Sequence, residues 1–178
     1  YTLATGLAPG KHSVELFKRT EWDRGRGEFY GFRIGGKAKA EPKSPAKKRK
    51  IEFYGNSITA DYAVEDFSGA DSPDSIFTNN YLSYSALLAR HYNAEYHCTC
   101  KSGIGITVSW FPTIMPEIYD LLNPEDPLSS WDFSLYQPDL VVINLMQNDS
   151  WLVNMPAHEE FQARFGEVAP EKEAIIKA

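Results

Sequence analysis

Residues 139–145 read Asp-Leu-Val-Val-Ile-Asn-Leu, and the unbroken apolar run from Leu140 to Ile143 predicts a strand buried on both faces, as in the middle of a parallel sheet. Working outward from it, Ile51-Glu52-Phe53-Tyr54 is a shorter strand that ends in Gly55-Asn56-Ser57. Tyr84, Leu87, Leu88 and His91 recur at helical spacing, and residues 94–99 form a strand leading into Gly103-Ile104-Gly105. A helical stretch is expected over 114–122, and a last helix, which Asn148-Asp149-Ser150 could cap, runs to Ala178. Strands alternating with helices imply right-handed parallel crossovers and a three-layer α/β sandwich. Doubly wound sheets of the flavodoxin type usually have five strands, and three are legible here. The third would then offer an apolar edge, so a missing C-terminal segment or another chain is expected to complete the sheet.

The first 40 residues follow a different pattern. Residues 11–18 alternate around Val14 and Leu16, and 28–34 alternate Tyr30, Phe32 and Ile34 against Phe29, Gly31 and Arg33 before the turn at Gly35-Gly36. Two strands alone are marginal in water, so 1–40 is expected to be the end of a jelly-roll-like β-sandwich. Residues 41–49 are a basic Pro/Lys linker, and 50–178 are the α/β domain. The five basic residues between Lys43 and Lys50 are interrupted by Pro45 and Ala46 and are read as a solvated linker, not a nucleic-acid patch.

Composition narrows the partners. A net charge of −6 over 178 residues disfavours general phosphate recognition, and no run of eighteen apolar residues suggests a membrane span. Cys98 and Cys100 are expected to stay free, their side chains on opposite faces of the second strand. No His/Cys/Asp cluster has metal-ligand spacing, and no cofactor is expected.

In open parallel sheets, ligands sit beyond the carboxyl ends of the strands. The three strands end at Gly55-Asn56-Ser57-Ile58-Thr59, Ser102-Gly103-Ile104-Gly105-Ile106-Thr107 and Gln147-Asn148-Asp149-Ser150, which should share one rim. Each has a plainer reading: a tight turn, a strain-relieving Gly pair, a helix cap. Their joint occurrence in order is harder to obtain from turn chemistry alone.

In that order, these motifs resemble the SGNH (GDSL-like) hydrolases over roughly residues 50–150. Ser57 matches the nucleophile block, Gly105 the glycine block and Asn148 the asparagine block. The strand at 11–18, the basic linker and Ile-Glu-Phe-Tyr-Gly-Asn-Ser-Ile-Thr are most similar to carbohydrate esterase family 2, which joins a β-sandwich to an SGNH domain and deacetylates xylan or related glycans. The resemblance implies that Ser57 attacks an acetyl carbonyl, with the Ser57 and Gly105 N–H groups and the Asn148 amide holding the oxyanion. It also implies an acetylated carbohydrate substrate and an extracellular or periplasmic location.

Two positions depart from the pattern. Asn56 replaces the usual Asp before the nucleophile, and Met146 stands where the third block generally has Gly, so Met146 and Trp151 are candidates for lining the acyl or sugar site. The family's catalytic His, downstream in Asp-x-x-His or Asp-x-His, has no match among His12, His91, His97 and His158. Of these, His158 is the least implausible substitute, and the chain by itself is expected to be inactive. The rival readings are a non-catalytic carbohydrate-binding protein, with Trp110 and Trp151 stacking on sugars, and an acyltransferase on the same fold.

Overall fold

β1 (Arg49–Gly55) forms the middle of a three-stranded sheet because its side chains supply apolar surface to both faces. It pairs in parallel with β2 (Ala94–Cys100) on one side and β3 (Leu140–Asn144) on the other, so that Phe53 lies opposite both Cys98 and Val142. The computed structural model describes residues 1–25, 27–41, 46–166 and 171–177. On one face, Ile51, Phe53 and Ala94 are buried with Tyr84, Tyr96, Cys98 and Val142 packed on them. On the other, Tyr54 joins Ile104, Met115 and Ile118, covered by Phe111, Leu121 and Leu145. This is the α/β parallel sheet that the strand pattern predicts.

β3 is at the edge, not the centre. Leu140, Val141 and Ile143 remain exposed, since among the described residues no strand pairs with the far side of β3. α1 (Ser57–Ala60) follows β1 directly, and α2 (Tyr84–His91) packs on the sheet through Ser85, Ala86 and Ala89. Leu87 and Leu88, which carried the periodicity, face out. Small side chains let the helix approach the sheet, and the Ser85 hydroxyl bonds to both Ser83 Oγ and Tyr96 OH.

The helix expected over 114–122 shrinks to one 3-10 turn, Met115–Glu117, with Pro116 in its first turn, where a missing N–H costs no hydrogen bond. The expected final helix is broken into α3 (Gln147–Leu152), α4 (Glu159–Phe165) and α5 (Lys172–Lys177). Pro156 lies in the first interruption and Gly166, at φ 81°, caps α4.

Among the described residues of 1–41 there is no strand, and Val14, Leu16, Phe29, Tyr30, Phe32 and Ile34 are exposed. A strand is defined by ladder bonds to a neighbour, and among the described residues no strand lies against these segments. Of the expected linker, 42–45 lie outside the described residues, and Arg49 is already part of β1.

Cys98 and Cys100, two apart in β2, share one face, because side chains alternate with a period of two. Their sulfurs are 3.6 Å apart, within reach of a thiol hydrogen bond, and both are free. The contact between them holds the Cys98 thiol below its ordinary range, and the same contact together with burial pushes Cys100 up.

Candidate active site

All three strand ends are tied together by hydrogen bonds. At the first, Asn56 caps α1: its Oδ1 accepts from Ile58 N at 3.1 Å, which leaves its Nδ2 to donate to Gln147 Oε1 at 2.6 Å. Gly55 is required there, since a Cβ would come within 1.9 Å of Thr59 Oγ1. Ser57 is the first residue of α1 and is half-buried; among the described residues its Oγ has no hydrogen-bond partner. Its backbone N–H belongs to the first turn of a helix, where no intrahelical acceptor exists.

The second strand end is held by the third. Asp149, 3% exposed, points into the loop after β2. Its carboxylate accepts from the backbone N–H groups of Ile106 at 3.0 Å, Thr107 at 2.6 Å and Val108 at 3.2 Å, and from the Thr107 hydroxyl at 2.8 Å. Gly105 allows this approach, because a Cβ there would meet Asp149 Oδ2 at 2.7 Å and Val108 O at 2.0 Å. Asn148 Nδ2 donates to Ile104 O at 2.7 Å, while its Oδ1 accepts from Trp110 Nε1 at 3.1 Å.

The predicted donors are therefore brought to one rim but are not equally free. The Gly105 N–H is committed to Ser109 Oγ at 2.9 Å. Asn148 Nδ2 carries two hydrogens, and one goes to Ile104. Met146 sits at the N-cap of α3 with φ 84°, a left-handed conformation, and Trp151 is exposed on α3. Met146 thus stands where Gly fits best for a backbone reason.

No histidine is a base for Ser57 here. His12 bonds to Ala8 O, His91 is exposed at the end of α2, and His97 Nδ1 bonds to Glu52 at 2.9 Å. His158 caps α4, its Nδ1 accepting from Glu160 N at 3.2 Å. A neutral imidazole that accepts at Nδ1 carries its proton on Nε2, so it presents no second lone pair to take a proton.

Two contributors escape a reading of the sequence. Asp149 looks like a helix cap from its neighbours, and only the fold turns it toward the loop. Glu21, 7% exposed, accepts from Ser102 N at 2.9 Å and also from Ser102 Oγ, while Lys101 Nζ bonds Asp23 at 2.7 Å. No local pattern marks Glu21, which is 81 residues from its partner.

Residues 1–45 match the family described as carbohydrate esterase 2 N-terminal. A cellulase/esterase of Acetivibrio thermocellus is 44% identical over 150 residues, covering 83% of this chain and 18% of that protein. The chain is a relative of the family 2 carbohydrate esterases. An acetylxylan esterase / glucomannan deacetylase of Cellvibrio japonicus is 30% identical over 89% of this chain and 48% of its own length. Among solved structures, a family 2 carbohydrate esterase from Clostridium thermocellum in complex with cellohexaose superposes with a TM-score of 0.60 at 33% identity, covering 75% of this chain and 45% of that one. The chain thus spans less than half the length of these family 2 relatives.

Proposed function

We propose that these residues form the nucleophile and oxyanion side of an esterase that removes O-acetyl groups from a carbohydrate such as xylan, outside the cytoplasm. Ser57 Oγ attacks the acetyl carbonyl, and the oxyanion is held by the Ser57 N–H, the second Asn148 Nδ2–H and, when it leaves Ser109 Oγ, the Gly105 N–H. The observation that carries the reading is the cross-bonding of three strand ends, Asn56 to Gln147 and Asn148 with Asp149 to residues 104–108. The base is a histidine outside this sequence. Trp151, exposed beside this rim, is the candidate sugar platform, with Met146 next to it.

Imidazole in solution can stand in for an absent histidine. Purified 1–178 should cleave acetylated xylo-oligosaccharide only when imidazole is added, and Ser57→Ala should reduce the rate to that of imidazole alone. Asn148→Ala should lower the Ser57-dependent rate by a few hundred-fold, since one oxyanion donor contributes about 3 kcal/mol. An imidazole-dependent rate unchanged in Ser57→Ala argues against the esterase reading.

Binding without catalysis is the second reading, favoured by the capping role of His158 and by the cellohexaose-bound relative. Calorimetric titration with cello-oligosaccharide separates the two: saturable binding with no imidazole-dependent acetate release supports it.

A further inference from the structure

Trp110 lies in neither the nucleophile, glycine nor asparagine motif, yet it braces the last two. Its backbone N–H donates to Gly103 O at 3.1 Å, and its indole Nε1–H donates to Asn148 Oδ1 at 3.1 Å. The ring is packed edge-on against His158, with centroids 5.2 Å apart and planes at 90°. Trp110 is thus fixed from three directions while remaining 41% exposed.

The indole N–H is a donor only, so it faces the oxygen of the Asn148 amide and never its nitrogen. The Ile104 carbonyl is an acceptor only, so it faces the nitrogen. Together these two contacts select one of the two orientations of an amide that is otherwise nearly symmetric in shape. In the opposite orientation, Asn148 would turn its oxygen toward the Ile104 carbonyl and lose both bonds. It would also present its carbonyl, not an N–H, to a developing negative charge.

We infer that Trp110 is a positioning residue for the reaction: its indole N–H locks the Asn148 side chain in the orientation that leaves one Nδ2–H to donate to the oxyanion. This inference rests on the esterase reading above. It assigns to Trp110 an effect on the transition state, not on glycan affinity, because the donor strengthens only as charge develops on the carbonyl oxygen.

The test replaces Trp110 with its benzothiophene isostere, in which sulfur stands where Nε1–H was and the ring packing on His158 is kept. Trp110→Phe is the simpler companion. In the imidazole-assisted assay, both should lower kcat about 10- to 100-fold with KM nearly unchanged, less than Asn148→Ala, because the donor is loosened but still present. In 15N-edited spectra, the two Asn148 Nδ2 protons should exchange with water faster in the isostere, a change that ring packing alone does not produce. An isostere with unchanged kcat and unchanged Asn148 exchange, in a protein where Ser57→Ala is inactive, overturns the role of Trp110 and leaves the esterase reading standing. A fall in affinity at constant kcat overturns it equally, assigning Trp110 to sugar stacking. A rate insensitive to Ser57→Ala overturns both.

Discussion

Asn56 Nδ2 donates to Gln147 Oε1 across 2.6 Å, joining the residue before the strand-end serine to the first residue of α3. Asn56 is almost fully buried, at 1% exposure, and Gln147 is itself oriented by donating Nε2 to Asn144 Oδ1 at 2.7 Å. The family's aspartate at this position is a worse fit to this partner. Asn56→Asp keeps the cap on Ile58 but sets a carboxylate oxygen against Gln147 Oε1, or pulls Nε2 away from Asn144. The expected cost is about 2 kcal/mol in urea denaturation at pH 7. A neutral result means that Gln147 re-pairs freely.

Met146 holds φ 84°. A left-handed residue with a Cβ costs about 1–2 kcal/mol, and the freer unfolded chain of glycine offsets part of the gain from relieving it. Met146→Gly should therefore stabilise the protein by about 0.5–1 kcal/mol, read as a raised denaturation midpoint with an unchanged slope.

Gly105→Ala should be strongly unfavourable for spatial reasons alone. The new methyl carbon would start 2.0 Å from Val108 O, a backbone atom that cannot swing away. A loss of about 3 kcal/mol or more is expected, with displaced amide resonances from Ile104 to Val108. Wild-type stability in Gly105→Ala would mean that the loop opens easily.

Asp149→Asn keeps the shape but removes the charge that gathers three backbone donors and one hydroxyl. Its amide must aim at least one N–H at donors, so about 3 kcal/mol should be lost. Hydrogen exchange at Ile106 and Thr107 should accelerate more than at Phe53. Uniform acceleration would point to global weakening and not to the loop.

Asp61 gives a pH signature. Burial, with the charge of Glu65 adding to it, pushes its carboxyl from 3.8 to about 6, and its Oδ2 is buried without a hydrogen-bond partner among the described residues. The fold therefore favours the protonated acid. That contribution is complete below about pH 4 and is lost as pH rises through 6. Asp61→Asn, which stays neutral and tolerates the left-handed φ of 62°, should match wild type in melting temperature near pH 4 and exceed it near pH 8. Equal melting temperatures at both pH values would show that solvent already reaches the carboxylate.

The sheet was readable because Leu140 to Ile143 is an unbroken apolar run and Ile51, Phe53 and Tyr54 surround a single Glu52, so both stretches carry their strand character locally. Their rank in the sheet was not: β3 is the more apolar run, yet β1 is central, since order depends on which neighbours arrive. α2 was found through Leu87 and Leu88, although Ser85, Ala86 and Ala89 make its contacts, because periodicity reveals a helix before it reveals which side is pressed. Asn148, Ser57 and Gly105 could be named from spacing and resemblance. The commitment of the Gly105 N–H to Ser109, and the reach of Trp110 to Asn148, depend on how a loop folds back and leave no mark in spacing.

The clasp of Glu21 on Ser102 makes the early residues a strut beneath the loop that carries Gly105. Trimming the gene to a minimal α/β unit, or grafting that unit behind another leader, would leave the Ser102 amide and hydroxyl without their acceptor. The early residues and the α/β unit are thus not exchangeable cassettes, and any chimera that keeps the sheet must also carry an acid at position 21.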